Sequence, residues 1–334
     1  MNEPEQPPSP VSPPETTSPA PPPDSNPALA IFWGPNGLRA GWRLLMFFAI
    51  CAIVLFGVGF VSRHLFRRGA VINPFDPEVL LRGEAVIFGV ILFASWIMSK
   101  FEEREIADYG LPLRTAFRGD FWKGIVIGFA SISALLAALR VAGVFQLGEP
   151  SLHGAELWRN ASLWACTFLF VALFEEFCFR GYALLTLVTG TGFWPAAFVC
   201  SAVFGAVHIG NSGETWLGAL SAGLIGLLFC LMLRRTGSLW LPIGFHASWD
   251  WGETFFYGVP DSGEVAPGHL FSATLSGSKW LSGGSVGPEA SVLCIFLIVV
   301  LLVLFAILYP EVRYPNRAEQ RNSPSESRNR ELHT

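Results

Sequence analysis

Residues Leu163–Leu187 read LWACTFLFVALFEEFCFRGYALLTL, an apolar and aromatic run interrupted by Glu175, Glu176 and Arg180. About 20 largely apolar residues suffice to cross a bilayer, and this run meets that length. A charge at bilayer depth costs at least about 2.5–3.5 kcal/mol on insertion scales. Such groups persist in a span only where they face a protein interior or a watery cavity and find partners there. The run therefore predicts a membrane helix packed among others, with its polar groups marking the place where the helices meet.

The rest of the chain agrees. Of 334 residues, 51% are hydrophobic and 14% charged, against roughly 25% charged in soluble domains. The fold class this implies is all-α, a polytopic membrane helix bundle of about eight transmembrane helices. The candidate spans are Trp42–Val61, Gly83–Lys100, Trp122–Phe145, Trp158–Leu187, Phe193–Ile209, Trp216–Leu233, Leu239–Tyr257 and Ala290–Leu308. Trp42, Trp122, Trp158, Trp194, Trp216 and Trp240 fall at span ends, where interfacial aromatic belts sit. The fourth span exceeds one crossing, so its second half, from Gly181, is expected to leave the span and lie along the surface. Ser99–Asp120 mixes acids and bases and reads as a surface helix. The Gly/Ser-rich stretch Asp261–Gly287 reads as a linker between spans.

The organisation expected is a Pro/Ser-rich disordered tail over 1–30, transmembrane helices over 39–157, a polar core over 158–258, a Gly/Ser-rich loop over 259–287, a last helix over 288–310 and a polar tail over 311–334. The N-terminal tail has too few large apolar residues to offset its ordering entropy, and it lacks the basic and apolar regions of a signal peptide. With the N-terminus inside, fourteen Lys and Arg residues fall on inner segments and six on outer ones, four of those six in or beside the first loop. The positive-inside rule then places both termini in the cytoplasm. A net charge of −4 with no basic patch excludes nucleic acid as a partner. Cys51, Cys166, Cys178, Cys200, Cys230 and Cys294 each lie in an apolar run without a C-x-x-C, which reads as packing residues rather than disulfides.

Residues four apart on a helix share a face, so Glu176 and Arg180 can pair directly. Glu175 is rotated by about 100° from Glu176 and has no partner in its own helix, which suits a general base acting on water. His208 lies one turn after Phe204. His246 and Asp250 are again four apart, and that spacing lets both bind one metal, or lets Asp250 orient His246 or a substrate group. Trp249 and Trp251 flank Asp250 and would seal a site. Glu253, one turn further and near the same face, is a reserve candidate but reads first as an interfacial residue. By depth His208 fits least well, since it lies about 9 Å past the middle of its span. These donors suit a Zn²⁺ site with an open position. They equally suit a metal-free site in which Glu175 deprotonates water and the histidines stabilise an oxyanion. There is no H-E-x-x-H, and neither Ser201 nor Ser248 sits in a G-x-S-x-G setting, which disfavours a serine hydrolase.

The order Glu175-Glu176…Arg180, Phe204…His208 and His246…Asp250 on successive spans resembles the CPBP family of intramembrane proteases. That family includes the CAAX prenyl endopeptidases and the bacterial Abi, or bacteriocin-immunity, proteins. The resemblance covers about Trp158–Tyr257. It implies an endopeptidase in which Glu175 activates water, His208, His246 and Asp250 complete the site, and Glu176 and Arg180 support it. Members are called metalloproteases, so zinc held by His208, His246 and Asp250 is the implied cofactor. The eukaryotic prenyl endopeptidases carry asparagine where this chain has Asp250. The resemblance further implies a bacterial cytoplasmic membrane, where prenylated CAAX proteins are not the expected substrates, and a peptide or membrane protein as substrate. A non-catalytic immunity or scaffold protein that binds a partner through the same cavity is the alternative. A transporter is disfavoured, since no inverted repeat or broken-helix pair is visible.

Overall fold

The computed structural model describes residues 29–314 apart from 35–36, 66–72, 74, 212 and 264. The two expected tails lie almost wholly outside the described residues. The described residues up to Arg39 fall in a unit separate from the rest of the chain. In it α1 (Leu29–Phe32) leads into β1 (Trp33–Gly34), which pairs antiparallel with β2 (Gly37–Leu38).

From Ala40 onward the fold is a helical bundle, as the composition required. Its helices are α2 (Ala40–Leu65), α3 (Pro77–Phe101), α4 (Gly119–Val141) and α5 (Gly154–Glu176). A π-helical segment (Phe177–Ala183) then continues without a break into α6 (Leu184–Thr191). After these come α7 (Phe193–His208), α8 (Trp216–Thr236) and α9 (Trp240–Asp250), and α9 runs on as a second π-helical segment (Trp251–Tyr257). The short α10 (Lys279–Ser282) precedes α11 (Val292–Leu308). The multi-pass membrane character follows directly. Five of these helices are long and apolar enough to span a bilayer, and α7 and α11 are shorter apolar helices. On α2, Ile53, Phe56 and Phe60 are exposed, which places a lipid-facing surface there.

Local chemistry sets the helix ends. Asp76 caps α3 by accepting from the Glu78 N–H at 2.9 Å, with Pro77 in the first turn, the position where its missing N–H costs nothing. Thr215 and Ser291 cap α8 and α11 in the same way. Between helices, small residues permit close approach. Gly124 and Gly128 on α4 lie against the backbone of Leu241 and Phe245 on α9, and Gly244 on α9 lies against the backbone of Phe121. A methyl group at any of the three would overlap a carbonyl oxygen, so α4 and α9 are locked together. Since α9 carries His246 and Asp250, this contact fixes their depth.

Three expectations are corrected. The chain does not leave the bundle at Gly181, because the helix runs on through Thr191 and Tyr182, Leu184 and Leu185 are buried. Apolar residues on this stretch pack inward instead of along a surface. Within Ser99–Asp120, two 3₁₀ turns (Ile106–Tyr109 and Leu113–Thr115) replace the expected surface helix, with Tyr109 and Leu111 buried. The stretch read as a linker is packed: β4 (Thr274–Leu275) pairs with β3 (Phe145–Gln146), and Val259, Ala266 and Val286 are buried.

One polar lock ties the π-helical segment to the other helices. Glu102, just past α3, accepts from Arg43 of α2, with Nε at 3.0 Å, from the Tyr182 hydroxyl at 2.7 Å and from the Tyr109 hydroxyl at 3.3 Å. Removing one partner of a mostly buried ion pair leaves the other charge uncompensated and costs about 3 kcal/mol or more. Glu102→Ala is therefore expected to lower the thermal unfolding midpoint in detergent by several degrees, whereas the exposed-pair variant Lys123→Ala leaves it unchanged.

Candidate active site

The long helix of α5 and α6 delivers Glu175 and Glu176 at the last turn before its π-helical segment. The helix of α9 delivers His246 and Asp250 at the last turns before its own. A π-helical turn interrupts the regular register and occurs frequently at functional sites. Here Glu175 and Asp250 face the cavity while the residues that follow face other neighbours: Tyr182 meets Glu102, and Trp251 donates its indole N–H to the Ala161 carbonyl at 3.0 Å. Trp251 therefore packs away from the site it was expected to seal, and Trp249 alone of the two lines the cavity.

The polar groups form a graded series from buried to open. Glu176 and Arg180 are fully buried, and the Arg180 Nη1 donates to Glu176 Oε1 at 3.2 Å. The same oxygen lies 3.0 Å from His246 Nδ1. On its other side, His246 Nε2 lies 3.4 Å from Asp250 Oδ2 and 3.8 Å from Glu175 Oε2. Side-chain exposure rises from 0% at Glu176 through 13% at His246 to 20% at Glu175, so Glu175 is the more open of the two adjacent glutamates. The Arg180 guanidinium stacks on the Phe204 ring at 4.0 Å, a cation–π contact worth more when desolvated. Gly226 is what makes room for it, since a methyl group there would strike the Arg180 Nη2. The pairing predicted from the four-residue spacing is present for both Glu176–Arg180 and His246–Asp250.

Glu175, His208, His246 and Asp250 all line one cavity of about 170 Å³. His208 ends α7, its Nδ1–H donates to the Phe204 carbonyl at 2.7 Å, and its ring packs on Phe204 at 4.6 Å. The depth mismatch of His208 is met by its place at the mouth of α7, where it joins the cavity wall without a described contact to His246 or Asp250. The three donors expected to hold zinc thus occupy separate places. His246 has one ring nitrogen on Glu176, and His208 has one on a carbonyl. Among the described residues, no group of three or more His, Cys, Asp or Glu side chains is arranged to hold a metal ion. The donor set as placed does not fit zinc, and no step below is routed through a metal.

Sequence reasoning missed three acids. Glu253, expected at an interface, is fully buried. The Trp249 indole N–H is shared between Glu253 Oε2 at 2.9 Å and Glu289 Oε1 at 3.0 Å. Asp261 accepts from the Thr254 hydroxyl at 2.8 Å, and both Asp261 and Glu289 line the cavity. Both lie outside the spanning helices, in the segment that packs over the cavity. Burial pushes Asp261 up from the ordinary aspartate range, and burial with Asp261 nearby pushes Glu289 up to about 8. Only the one-turn spacing from Trp249 to Glu253 was visible in the sequence. The placement of Asp261 and Glu289 depends on how the loop folds back.

The model of the family described as type II CAAX prenyl endopeptidase Rce1-like matches residues 157–252, the segment that carries Glu175, Glu176, Arg180, His208, His246 and Asp250. The match covers 96 of the 334 residues and makes this segment similar to that family of proteases. No curated protein and no solved structure matches the chain.

The raised Glu289 sets a sign for the effect of pH. A carboxyl whose folded value exceeds its unfolded one stabilises the fold fully below the unfolded value, and that stability is lost as pH rises through the folded value. For Glu289 the window runs from 4.5 to about 8. Hydrogen exchange across residues 259–290, corrected for intrinsic rate, is expected to quicken as pH rises through this window. In Glu289→Gln the rise should be smaller, and an unchanged profile in the variant would contradict the assignment.

Proposed function

We propose that the chain is an intramembrane endopeptidase that hydrolyses a peptide bond with water activated by Glu175. The observation that supports this most is the placement of Glu175 Oε2 and His246 Nε2, 3.8 Å apart at the wall of a polar cavity inside an apolar bundle. That separation lets both atoms hydrogen-bond one water. Glu175 takes a proton from this water as its oxygen attacks the scissile carbonyl carbon, and the carbonyl π electrons move to its oxygen. When the tetrahedral intermediate collapses, the C–N bond breaks and Glu175 returns the proton to the leaving nitrogen.

The other residues have separate jobs. Glu176, neutralised in part by Arg180, fixes the His246 ring through Nδ1 and so aims Nε2 at Glu175 and Asp250. Asp250 holds that orientation from the second side. His208 has its Nδ1–H committed to the Phe204 carbonyl, which leaves Nε2 as its only free donor, and only in the imidazolium form. As an imidazolium it stabilises the developing oxyanion, the kind of preorganised donor whose loss costs about 10²–10³ in rate. The Lys/Arg asymmetry of the loops supports a cytoplasmic position for both termini.

Glu175→Gln, nearly isosteric, is expected to reduce cleavage by about 10²–10⁴ while detergent-extracted protein keeps its thermal midpoint. Undiminished cleavage would contradict the mechanism. His208→Asn is expected to lower kcat by about 10²–10³ with little change in KM. An unchanged kcat in that variant would remove His208 from the role.

A further inference from the structure

The cavity wall carries an imbalance of charge that the reaction does not explain. Glu175, Asp250, Asp261 and Glu289 face it, while no Lys or Arg is among its described lining residues. Its bases are His208 and His246. Arg180 lies behind Phe204 and is engaged with Glu176. Behind Trp249, Glu253 is fully buried, and its Oε1 has no hydrogen-bond partner among the described residues. Carboxyl groups withdrawn from water without counter-charges are costly unless protonated or met by a cation. No Lys or Arg among the described wall residues offsets Asp261 and Glu289, and burial raises both above the ordinary carboxylate range.

Three features narrow the missing partner. The acids are spread along the wall, and no group of three or more is arranged around a point that would hold a metal ion. That favours an organic cation with an extended stem. The wall beside them is aromatic, through Trp249, Phe229 and Phe204, a surface that takes both the methylenes and the charge of a long basic side chain. Finally, Asp261 and Glu289 lie beyond the family-matched segment, which ends at residue 252. They therefore belong to what this chain adds to the shared core.

We propose that the cavity receives a peptide segment bearing a cationic nitrogen, the side chain of lysine or arginine, which Asp261 and Glu289 hold close to the scissile bond. This rests on the endopeptidase reading above.

The test is a digest of a defined equimolar mixture of synthetic peptides by the full chain in lipid nanodiscs, read by mass spectrometry. It is followed by single peptides that carry lysine, norleucine or glutamate at the preferred position. The wild type is expected to favour lysine over norleucine by about tenfold in kcat/KM, the scale of one charge-assisted hydrogen bond, and to disfavour glutamate. In Asp261→Asn/Glu289→Gln the lysine-to-norleucine ratio should collapse toward one, mainly through KM. Equal cleavage of lysine and norleucine peptides by the wild type, or a ratio that survives in the double variant, would overturn the specificity and leave the endopeptidase intact. No cleavage of any peptide by well-folded wild type, matching Glu175→Gln, would instead overturn the endopeptidase reading on which it rests.

Discussion

A single buried carboxylate oxygen organises the core of this protein. Glu176 Oε1 meets both Arg180 and His246, and neither Glu176 nor Arg180 has any exposure to solvent. Breaking such a buried arrangement from one side costs about 3–5 kcal/mol, so the surrounding residues are constrained to keep it. Gly226 of α8 leaves room for the guanidinium, whose carbon lies 4.0 Å from the centre of the Phe204 ring. The proposed chemistry depends on this support. With Nδ1 held, His246 can present only Nε2 to Asp250 and Glu175, and Glu175 is left as the open member of the pair of adjacent glutamates.

Two further constraints bring the second half of the site to meet the first. Glycines at 124, 128 and 244 let α4 and α9 touch backbone to backbone, which fixes the depth of His246. Each acid-bearing helix then passes into a π-helical segment immediately after its last polar residue. The altered register lets one continuous helix serve the cavity at one turn and a different neighbour at the next. This is why the long helix does not need to bend out of the bundle at Gly181, although its length exceeds a single crossing.

Much of the site was legible because it rests on four-residue spacing within single helices. Glu176 with Arg180, Phe204 with His208, and His246 with Asp250 each meet as helix geometry requires. The aromatic and apolar runs likewise predicted the helices that are present. What escaped is what depends on contacts distant in sequence. Glu253 looked interfacial from its place near a span end, yet its partner is an indole N–H shared with Glu289, 36 residues further along. Asp261 reached the cavity from a stretch whose Gly and Ser content suggested a linker, because pairing with Phe145–Gln146 at the end of α4 folds that stretch back. The 3₁₀ turns that replace the expected surface helix follow from buried Tyr109 and its bond to Glu102, a tertiary interaction with no local signature.

The most direct test of the account is nitrogen-15 NMR of histidine-labelled protein in nanodiscs, reading the protonation and hydrogen bonding of the His246 Nδ1. The account predicts a protonated Nδ1 with a strongly hydrogen-bonded, low-field proton that is lost in Glu176→Gln and retained in Glu175→Gln. An unprotonated Nδ1 in the wild type, or a resonance indifferent to Glu176→Gln, would contradict the claim that Glu176 sets the orientation of the site.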